Sequence, residues 1–513
     1  MKKFFTLFIA VVVALVAAAT DYTDQLLITL SGSEPFESTA TISISTQDDG
    51  AYTIVLNSFS FSGLLIGDVT MTDIEAETDS EGVVYFETSQ TATITNGDMI
   101  AALLGGVVDV TICKGSCLRN DKPYLVISLP ISIPEASMEF DVKAVFGTGD
   151  YQIANSSFEN FHEASVSMGS LTQTSDEPNN WHSFMSADGT SSTIIYLAAS
   201  TPVTFVSSEV RPNSNGASSV LVKSFSVLGI VGNGTITTGR MYIGSTTASD
   251  ESNHAYIDMS QTDTDPNGDP FYAELRSNPD SVVVWVKFKQ TTPQSDYPYA
   301  SLNAVITDGT YYQDPEGSTE YTNIVAKATA KIETNDFAWQ RLSIPFDYAS
   351  YESNNAETAA ILLTISTNAE PGKGSVDSLY VDDLELIYNY SLLGLTIANS
   401  EIQLQDGQTE YAIEVANPIT VDDIVVETDA QAANVVVELE DTDDGQLLSL
   451  TVISGDYRNW SDTYTINITN TLTAVSAAKT ENPESSRYYD LQGRPVSNPA
   501  KGIYIKDGRK VIQ

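Results

Sequence analysis

The chain has 513 residues, with 68 Asp and Glu against 24 Lys and Arg and a formal net charge of -44. That excess excludes nucleic acid and anionic membrane surfaces as partners held by bulk charge. At roughly 150 residues per domain the length calls for three or four domains. The 42% hydrophobic and 18% charged content, with 25 tyrosines, is the balance of a folded, β-rich secreted protein.

Lys2 and Lys3 precede an apolar run from Phe4 to Ala19 that ends in three alanines before Thr20 and Asp21. A positive start, an apolar run short for a membrane span and a small-residue end predict an export signal over residues 1–19, cut after Ala19. No basic flank follows to stop transfer and no Cys follows to carry a lipid. The mature chain is therefore expected in the periplasm, on the outer surface or secreted, with no transmembrane span. Met99 to Val108 is too short to span a membrane and, interrupted by Gly105 and Gly106, reads as a short buried helix leading into a strand.

Residues 20–147 alternate in period two, in runs such as Leu26 to Leu30, Ala40 to Ser45, Tyr52 to Phe61, Val83 to Phe86, Val107 to Ile112, Tyr124 to Ile131 and Met138 to Val145. Strand after strand with at most one helix predicts a small antiparallel barrel or sandwich. The segment Tyr52 to Glu77, YTIVLNSFSFSGLLIGDVTMTDIEAE, resembles the calycin-like β-barrel domain of secreted bacterial proteins. That resemblance implies a barrel, and in one this short side chains are expected to fill the interior. The only cysteines, Cys113 and Cys117, flank a turn; they predict a small local disulfide or two idle thiols, since so short a loop removes little chain entropy.

After a Gly147-Thr148-Gly149-Asp150 linker, residues 150–390 are again β-rich, and their size predicts one large β-sandwich of jelly-roll type. NSSFENFH, EPNNWHSF, GRMYIGS, SVVVWVKFKQ, FAWQRLSIPFDY and LYVDDLEL resemble the carbohydrate metabolism domain, a jelly-roll family of exported bacterial proteins whose name records an unproven activity. In SVVVWVKFKQ, Val282, Val284, Val286 and Phe288 share one strand face, and Trp285, Lys287 and Lys289 the other. Trp339 and Arg341 share a face by the same spacing. An aromatic ring beside cations can stack on a sugar and bond its hydroxyls or an acidic substituent, so these residues are candidate carbohydrate contacts, with Tyr297 and Tyr299 and then Tyr311 and Tyr312 as a rim. Burial of both tryptophans between sheets is the competing reading.

Two calcium readings arise in the same region. Asp263, Asp265, Asn267, Gly268 and Glu274 fit a calcium-loop spacing, although the flanks read as strands rather than helices and Pro266 and Pro270 suit an ordinary turn. The resemblance to jelly-roll carbohydrate-binding domains implies a second, structural site from Glu159 with Asp382 or Asp383; a solvated acidic edge is the alternative. His162, His182 and His254 are the only histidines, and no catalytic signature containing them occurs.

Residues 391–473 hold five or more short strands, which predict an immunoglobulin-like sandwich. Their LLGLTIA start and DTYTINIT finish resemble cadherin-like modules and imply a spacer. Residues 474–486 read as a linker. Residues 487–513, in which six basic residues face Asp490 and Asp507 alone, form a separate β-hairpin module. Its YDLQGR and KGIYI resemble type IX secretion sorting tails, which implies export or surface retention. Together these features predict an all-β, exported, glycan-interacting protein without an organic cofactor, with non-catalytic binding by the jelly-roll domain as the leading reading. A glycoside hydrolase using unidentified carboxylates, or an adhesin or scaffold holding surface protein partners, are the alternatives.

Overall fold

The structure, a computed structural model, describes residues 19–30, 35–61, 64–133, 138–227, 230–368, 372, 375–443, 445–471, 488–489, 494–496, 503–506 and 509–512. Residues 1–18 of the expected export signal, which ends at Ala19, and the 474–486 linker lie outside them. The described residues fall into two compact units, one drawn from residues 1–395, 426–436 and 450–463, the other from 396–425, 437–449 and 464–513. Among the described residues no helix is long and apolar enough to cross a membrane.

The first unit begins with β1 (Thr20–Leu30), β2 (Phe36–Thr46), β3 (Tyr52–Phe61), β4 (Leu64–Ile74), β5 (Ala76–Thr78), β6 (Val84–Phe86), β7 (Thr88–Thr95), α1 (Met99–Leu103), β8 (Val107–Ile112), β9 (Cys117–Arg119), β10 (Lys122–Ile133) and β11 (Met138–Phe146). Eight of these close a barrel in the order β11-β1-β2-β3-β4-β7-β8-β10, with β10 returning to β11. Alternate residues point inward. Leu26 and Ile28, Ile42 and Ile44, Ile54 and Leu56, Val108 and Val110, and Leu125, Ile127 and Leu129 fill the interior with apolar side chains. Strands β4 and β7 escape the sequence pattern because Gly67 and Asp68 interrupt the first and the second is mostly Thr and Ser. At Gly67, φ is +111° and an added Cβ would lie 2.2 Å from the Thr95 carbonyl oxygen, so the close approach of β4 to β7 requires glycine.

Two expectations are corrected here. Helix α1 forms where expected but is not buried: Met99 is 78% exposed, and Leu103 is also exposed while Ala101 is covered. Cys113 and Cys117 are free thiols rather than a disulfide. They face different neighbours, Cys113 Sγ lying 3.8 Å from the Thr111 carbonyl oxygen and Cys117 Sγ 3.9 Å from Arg276 Nη1. Burial pushes the Cys113 thiol up to about 11, so it stays protonated at neutral pH.

The next region opens with a hairpin of β12 (Phe161–Met168) and β13 (Leu171–Pro178) and builds a two-sheet sandwich. One sheet runs Thr204–Ser207, Ser219–Lys223, Ser378–Ile387, Ser281–Lys289, Gln340–Pro345; the other runs Thr235–Thr237, Ala360–Ser366, Tyr299–Thr307, Ile324–Glu333, with Ala273–Glu274 added on Ala360–Ser366. Val282, Val284, Val286 and Phe288 from the first sheet meet Leu302, Ala304, Ile306, Leu363 and Ile365 from the second in one core.

That core does not stop at the sandwich. Over residues 124–127 strand β10 is buried on both faces: Leu125 and Ile127 fill the barrel, while Tyr124 and Val126 join the sandwich cluster with Val145, Tyr151 and Ile153. Tyr151 is the hub. Its ring centroid lies 5.1 Å from Tyr124, 6.5 Å from Tyr388 and 6.1 Å from Tyr457, and Arg276 stands 5.3 Å above it. The Tyr388 hydroxyl donates to the Tyr151 carbonyl at 2.8 Å, and the Tyr124 hydroxyl donates to the Asp456 carbonyl at 2.5 Å.

In the second unit, Glu410–Val415 pairs in parallel with Tyr464–Asn470, setting Ile413 opposite Ile468. Ile402, Val415, Ile419, Leu448, Ile466 and Ile468 are buried. The Gln446 amide brackets Ile419, accepting from its N–H at 2.7 Å and donating to its carbonyl at 3.1 Å. The C-terminal tail forms a small sheet in the order Pro495–Val496, Tyr488–Tyr489, Ile503–Lys506, Arg509–Ile512.

Because one apolar cluster serves barrel and sandwich, Tyr151→Ala should destabilise both together, by about 3 kcal/mol or more for a buried aromatic. Calorimetry is expected to show the two melting in one transition that moves down in the variant. A shift confined to one of two separate transitions would contradict the shared core.

Candidate functional site

The outer face of the strand Ser281–Lys289 carries the residues singled out in the sequence. Its inner face is wholly buried at Val282, Val284, Val286 and Phe288, which leaves Trp285 and Lys287 half-buried and Lys289 exposed on the other side. Antiparallel register sets Trp285 between Arg341 and Asp382, and Lys287 beside Tyr380. Between Val283 and Trp285 the neighbouring strand Ser378–Ile387 carries an extra residue, and Asp383 takes a φ of +39°. Such a bulge turns a side chain out of the ladder, and Asp383 is turned toward Arg211.

Arg211 closes the arrangement from the loop before Ser219–Lys223. Its guanidinium sits 5.6 Å from the Trp285 ring centroid, its Nε donates to Asp383 Oδ2 at 2.5 Å, and its backbone N–H donates to Asp382 Oδ2 at 2.8 Å. The same loop caps Glu159, whose carboxylate accepts from the N–H groups of Ala217 and Ser218 at 3.0–3.1 Å. A Cβ at Gly216 would lie 2.1 Å from Glu159 Oε1, so a larger residue there would displace the carboxylate from these N–H groups.

These residues line a cavity of about 510 Å³ between sandwich and barrel, within the roughly 300–1,000 Å³ of small-ligand sites. Trp285, Arg341, Arg211, Glu159, Asp383 and Glu385 form the sandwich wall, Phe36, Glu37 and Thr39 of β2 form the barrel wall, and Arg458 closes the cavity. Glu37 accepts from Ser157 Oγ at 3.1 Å. Arg458 is buried, with Nη1 4.0 Å from Glu385 Oε1 and Nε 3.6 Å from Asp456 Oδ2, and its carbonyl accepts from Lys143 of β11 at 2.5 Å. Arg341 is exposed and, among the described residues, makes no salt bridge or side-chain hydrogen bond.

Desolvation dominates the titration of the acidic groups here. It pushes Asp382 up from an ordinary 3.8 to about 7, opposed by the Arg211 N–H and reinforced by Asp383 and Glu159. It also raises Glu37, against the Ser157 hydrogen bond, and Glu385, against the Arg458 charge. The cavity therefore combines the rings of Trp285 and Phe36, an unpaired guanidinium, two paired guanidinia and four carboxylates, of which Glu37 and Glu385 give up protons reluctantly.

Other candidate residues lie apart. On the same sheet face, Lys287 pairs with Glu209 and stands 4.2 Å from Phe337 and 5.2 Å from Tyr380, while Lys289 stands 5.4 Å from Phe337. Trp339 is half-buried with its ring edge-on to Tyr380 at 6.3 Å. This is a second aromatic and cationic patch outside the cavity lining. Tyr299 lies on the opposite sheet under Lys331, and the Tyr297 carbonyl accepts from Gln290. Tyr311 bonds His254 and Gln313, and Tyr312 is buried. A further cavity of about 290 Å³, lined by Phe184, Leu197, Phe225 and Met241, lies beside the second sheet.

Of the two expected calcium sets, the loop set is spread among separate partners, while Glu159, Asp382 and Asp383 come together at the cavity. Asp263 pairs with Arg240 at 2.6 Å, Asn267 donates to Asp269 at 2.9 Å, and Glu274 reaches Lys122 at 3.2 Å. Asp265 alone turns inward, toward His162. Glu159 and Asp383 share the cavity, but their oxygens are held by backbone N–H groups and by Arg211. Arg211, Arg458 and Glu37 escaped sequence reasoning because they come from loops and from the barrel, and Glu385 because nothing in its own strand marks it among the acidic residues. Their one trace is scarcity, since three arginines of a chain with 24 basic residues meet here.

No curated protein matches the chain. Among solved structures it is similar to a proposed glycoside hydrolase from Bacteroides thetaiotaomicron VPI-5482, with 13% identity and a TM-score of 0.31 over 66% of this chain and 97% of that one. A proposed glycoside hydrolase from Bacteroides vulgatus ATCC 8482 gives 16% identity and a TM-score of 0.28 over 45% and 96%. A beta-1,2-glucanase from Parabacteroides distasonis gives 12% and 0.19 over 52% and 34%. Residues 18–149 match the family model of the Calycin-like beta-barrel domain, the family that the apolar pattern of Tyr52 to Glu77 resembles.

Proposed function

We propose that this is an exported glycan-binding protein whose site is the cavity around Trp285. The observation that carries this reading is Trp285 standing outward in a cavity lined by Arg341, Arg211 and four carboxylates, Glu37, Glu159, Asp383 and Glu385. A sugar ring offers an apolar face for an indole and hydroxyls for guanidinium donors and carboxylate acceptors, and this lining supplies both. The net charge of -44 favours neutral glycans over polyanionic ones, because the field of the whole chain repels the latter.

A glycan array on the full chain, followed by calorimetric titration of the hits, tests this. Trp285→Ala should weaken binding roughly ten- to thirtyfold, as for a buried aromatic anchor. Trp339→Ala, edge-on to Tyr380 and outside the cavity, should change it about threefold or less. Binding unaffected by Trp285→Ala would move the site elsewhere, and failure of every glycan would favour a scaffold.

One observation favours hydrolysis as a second reading: desolvation raises both Glu37 and Glu385, which face one cavity from two walls. Glycosidases use such a carboxyl pair as proton donor and base or nucleophile. Reducing-end release that Glu37→Gln or Glu385→Gln abolishes would establish it; binding without product would not.

Asp382 gives the site a pH signature. Its folded-state pKa, about 7, lies above the unfolded 3.8, so the folded chain holds this proton more tightly. Its contribution to stability is full below pH 3.8 and is lost as pH rises through about 7. Between pH 5 and 8 this costs roughly 2–3 kcal/mol. Asp382→Asn should remove that part of the slope in denaturation measured at the two pH values; an unchanged slope would contradict the assignment.

A further inference from the structure

Away from the cavity, the sandwich buries a second polar group whose free atoms point at one another. His162 on β12 lies directly opposite Glu177 on β13. His182 follows the hairpin and bridges to Thr237, and Asp265 comes from the turn before Asp269. Each of the four uses one polar atom for a bond that fixes it. His162 Nδ1 meets Asn179 Oδ1 at 3.1 Å and His182 Nε2 meets the Pro270 carbonyl at 3.0 Å. Both partners are acceptors, so those nitrogens carry the protons and His162 Nε2 and His182 Nδ1 keep lone pairs. Glu177 Oε1 accepts from the Ser183 N–H at 2.7 Å and hydroxyl at 2.5 Å, and Asp265 Oδ1 accepts from the Asp269 N–H at 2.8 Å.

The four leftover atoms, His162 Nε2, His182 Nδ1, Glu177 Oε2 and Asp265 Oδ2, are all buried without a hydrogen-bond partner. Two imidazole lone pairs facing two carboxylate oxygens in a dry interior repel unless something positive stands between them. His162 Nε2 is 3.2 Å from Asp265 Oδ2 and 3.9 Å from Glu177 Oε2, and His182 Nδ1 is 3.7 Å from Asp265 Oδ2. The ligand atoms of His162, Glu177 and Asp265 all lie within 4.8 Å of one another. Bonds of about 2.0–2.1 Å to a tetrahedral ion place ligand atoms about 3.3 Å apart, so modest movement closes these three on one ion, with His182 reaching the set through Asp265 as the fourth ligand. The outward bonds to Asn179, Pro270, Ser183 and Asp269 are the second shell that metal-binding imidazoles and carboxylates need.

We infer that His162, His182, Glu177 and Asp265 form a buried site for a divalent transition metal of the zinc type, tying the β12–β13 hairpin to the Asp263–Glu274 loop. Two nitrogens and two oxygens suit zinc and its neighbours; calcium and magnesium take six or more oxygen ligands. With all four atoms inaccessible, the site is structural. The loop that matched a calcium spacing thus contributes one ligand to a set completed by histidines distant in sequence.

The test uses the full chain. Elemental analysis of purified protein should find about one transition-metal ion per chain, and chelator-stripped protein should take up one equivalent of zinc chloride. At a hundredfold excess of free zinc over Kd the melting temperature should rise by roughly 3 °C. Cobalt(II) in the stripped protein should give the visible absorption of a tetrahedral site. His162→Ala should lose the metal and the zinc-dependent shift; should it fail to fold, Glu177→Gln, which keeps shape and removes charge, should do the same. A folded, metal-free wild type whose melting ignores both chelator and zinc would overturn the inference, as would full uptake retained in a folded variant.

Discussion

Over residues 124–127 strand β10 has no wet face: Leu125 and Ile127 fill the barrel while Tyr124 and Val126 enter the core of the sandwich, and that double burial fixes where the two must meet. A barrel strand ordinarily shows one face to solvent. Here the outward face is apolar at Tyr124 and Val126, and Tyr151, itself backed by Tyr388, covers it there. The cavity around Trp285 follows from this contact. Its barrel wall, Phe36, Glu37 and Thr39, stands opposite Trp285 because β10 and β11 hold the barrel against the sandwich.

Charge explains what the cavity can do. In a chain of net charge -44, carboxylates gathered around one cavity repel one another, and Arg211 beside Asp383 and Arg458 beside Glu385 set opposite charge against them. Arg341 acts on Glu385 through its charge alone and, exposed and without a salt bridge among the described residues, keeps its donors available beside the indole of Trp285. Surface pairs such as Arg119–Glu81, with the glutamate largely exposed, add little to stability by comparison.

How much was legible depended on whether the information was local. Alternation placed Tyr52–Phe61 and Val107–Ile112 and set Trp285 opposite the valines, because a strand with two distinct faces writes that difference into its own residues. It missed β4 and β7, where a glycine approach and a threonine-rich face carry little apolar signal. The cavity walls were illegible for another reason: Arg211, Glu37 and Arg458 are brought to Trp285 by tertiary packing across about 420 residues of sequence. Asp265 stood out in the sequence, yet beside its loop neighbours rather than the two histidines that the fold places against it.

The central claim is that barrel and sandwich together build one ligand cavity. Hydrogen exchange on the full chain, with and without a bound oligosaccharide, tests it most directly, because it reads both walls at once. The account predicts new protection in β2 near Phe36–Thr39 together with Ser281–Lys289 and the Arg211 loop. Protection confined to the sandwich, or appearing only at the cavity beside Phe184 and Phe225, would contradict it.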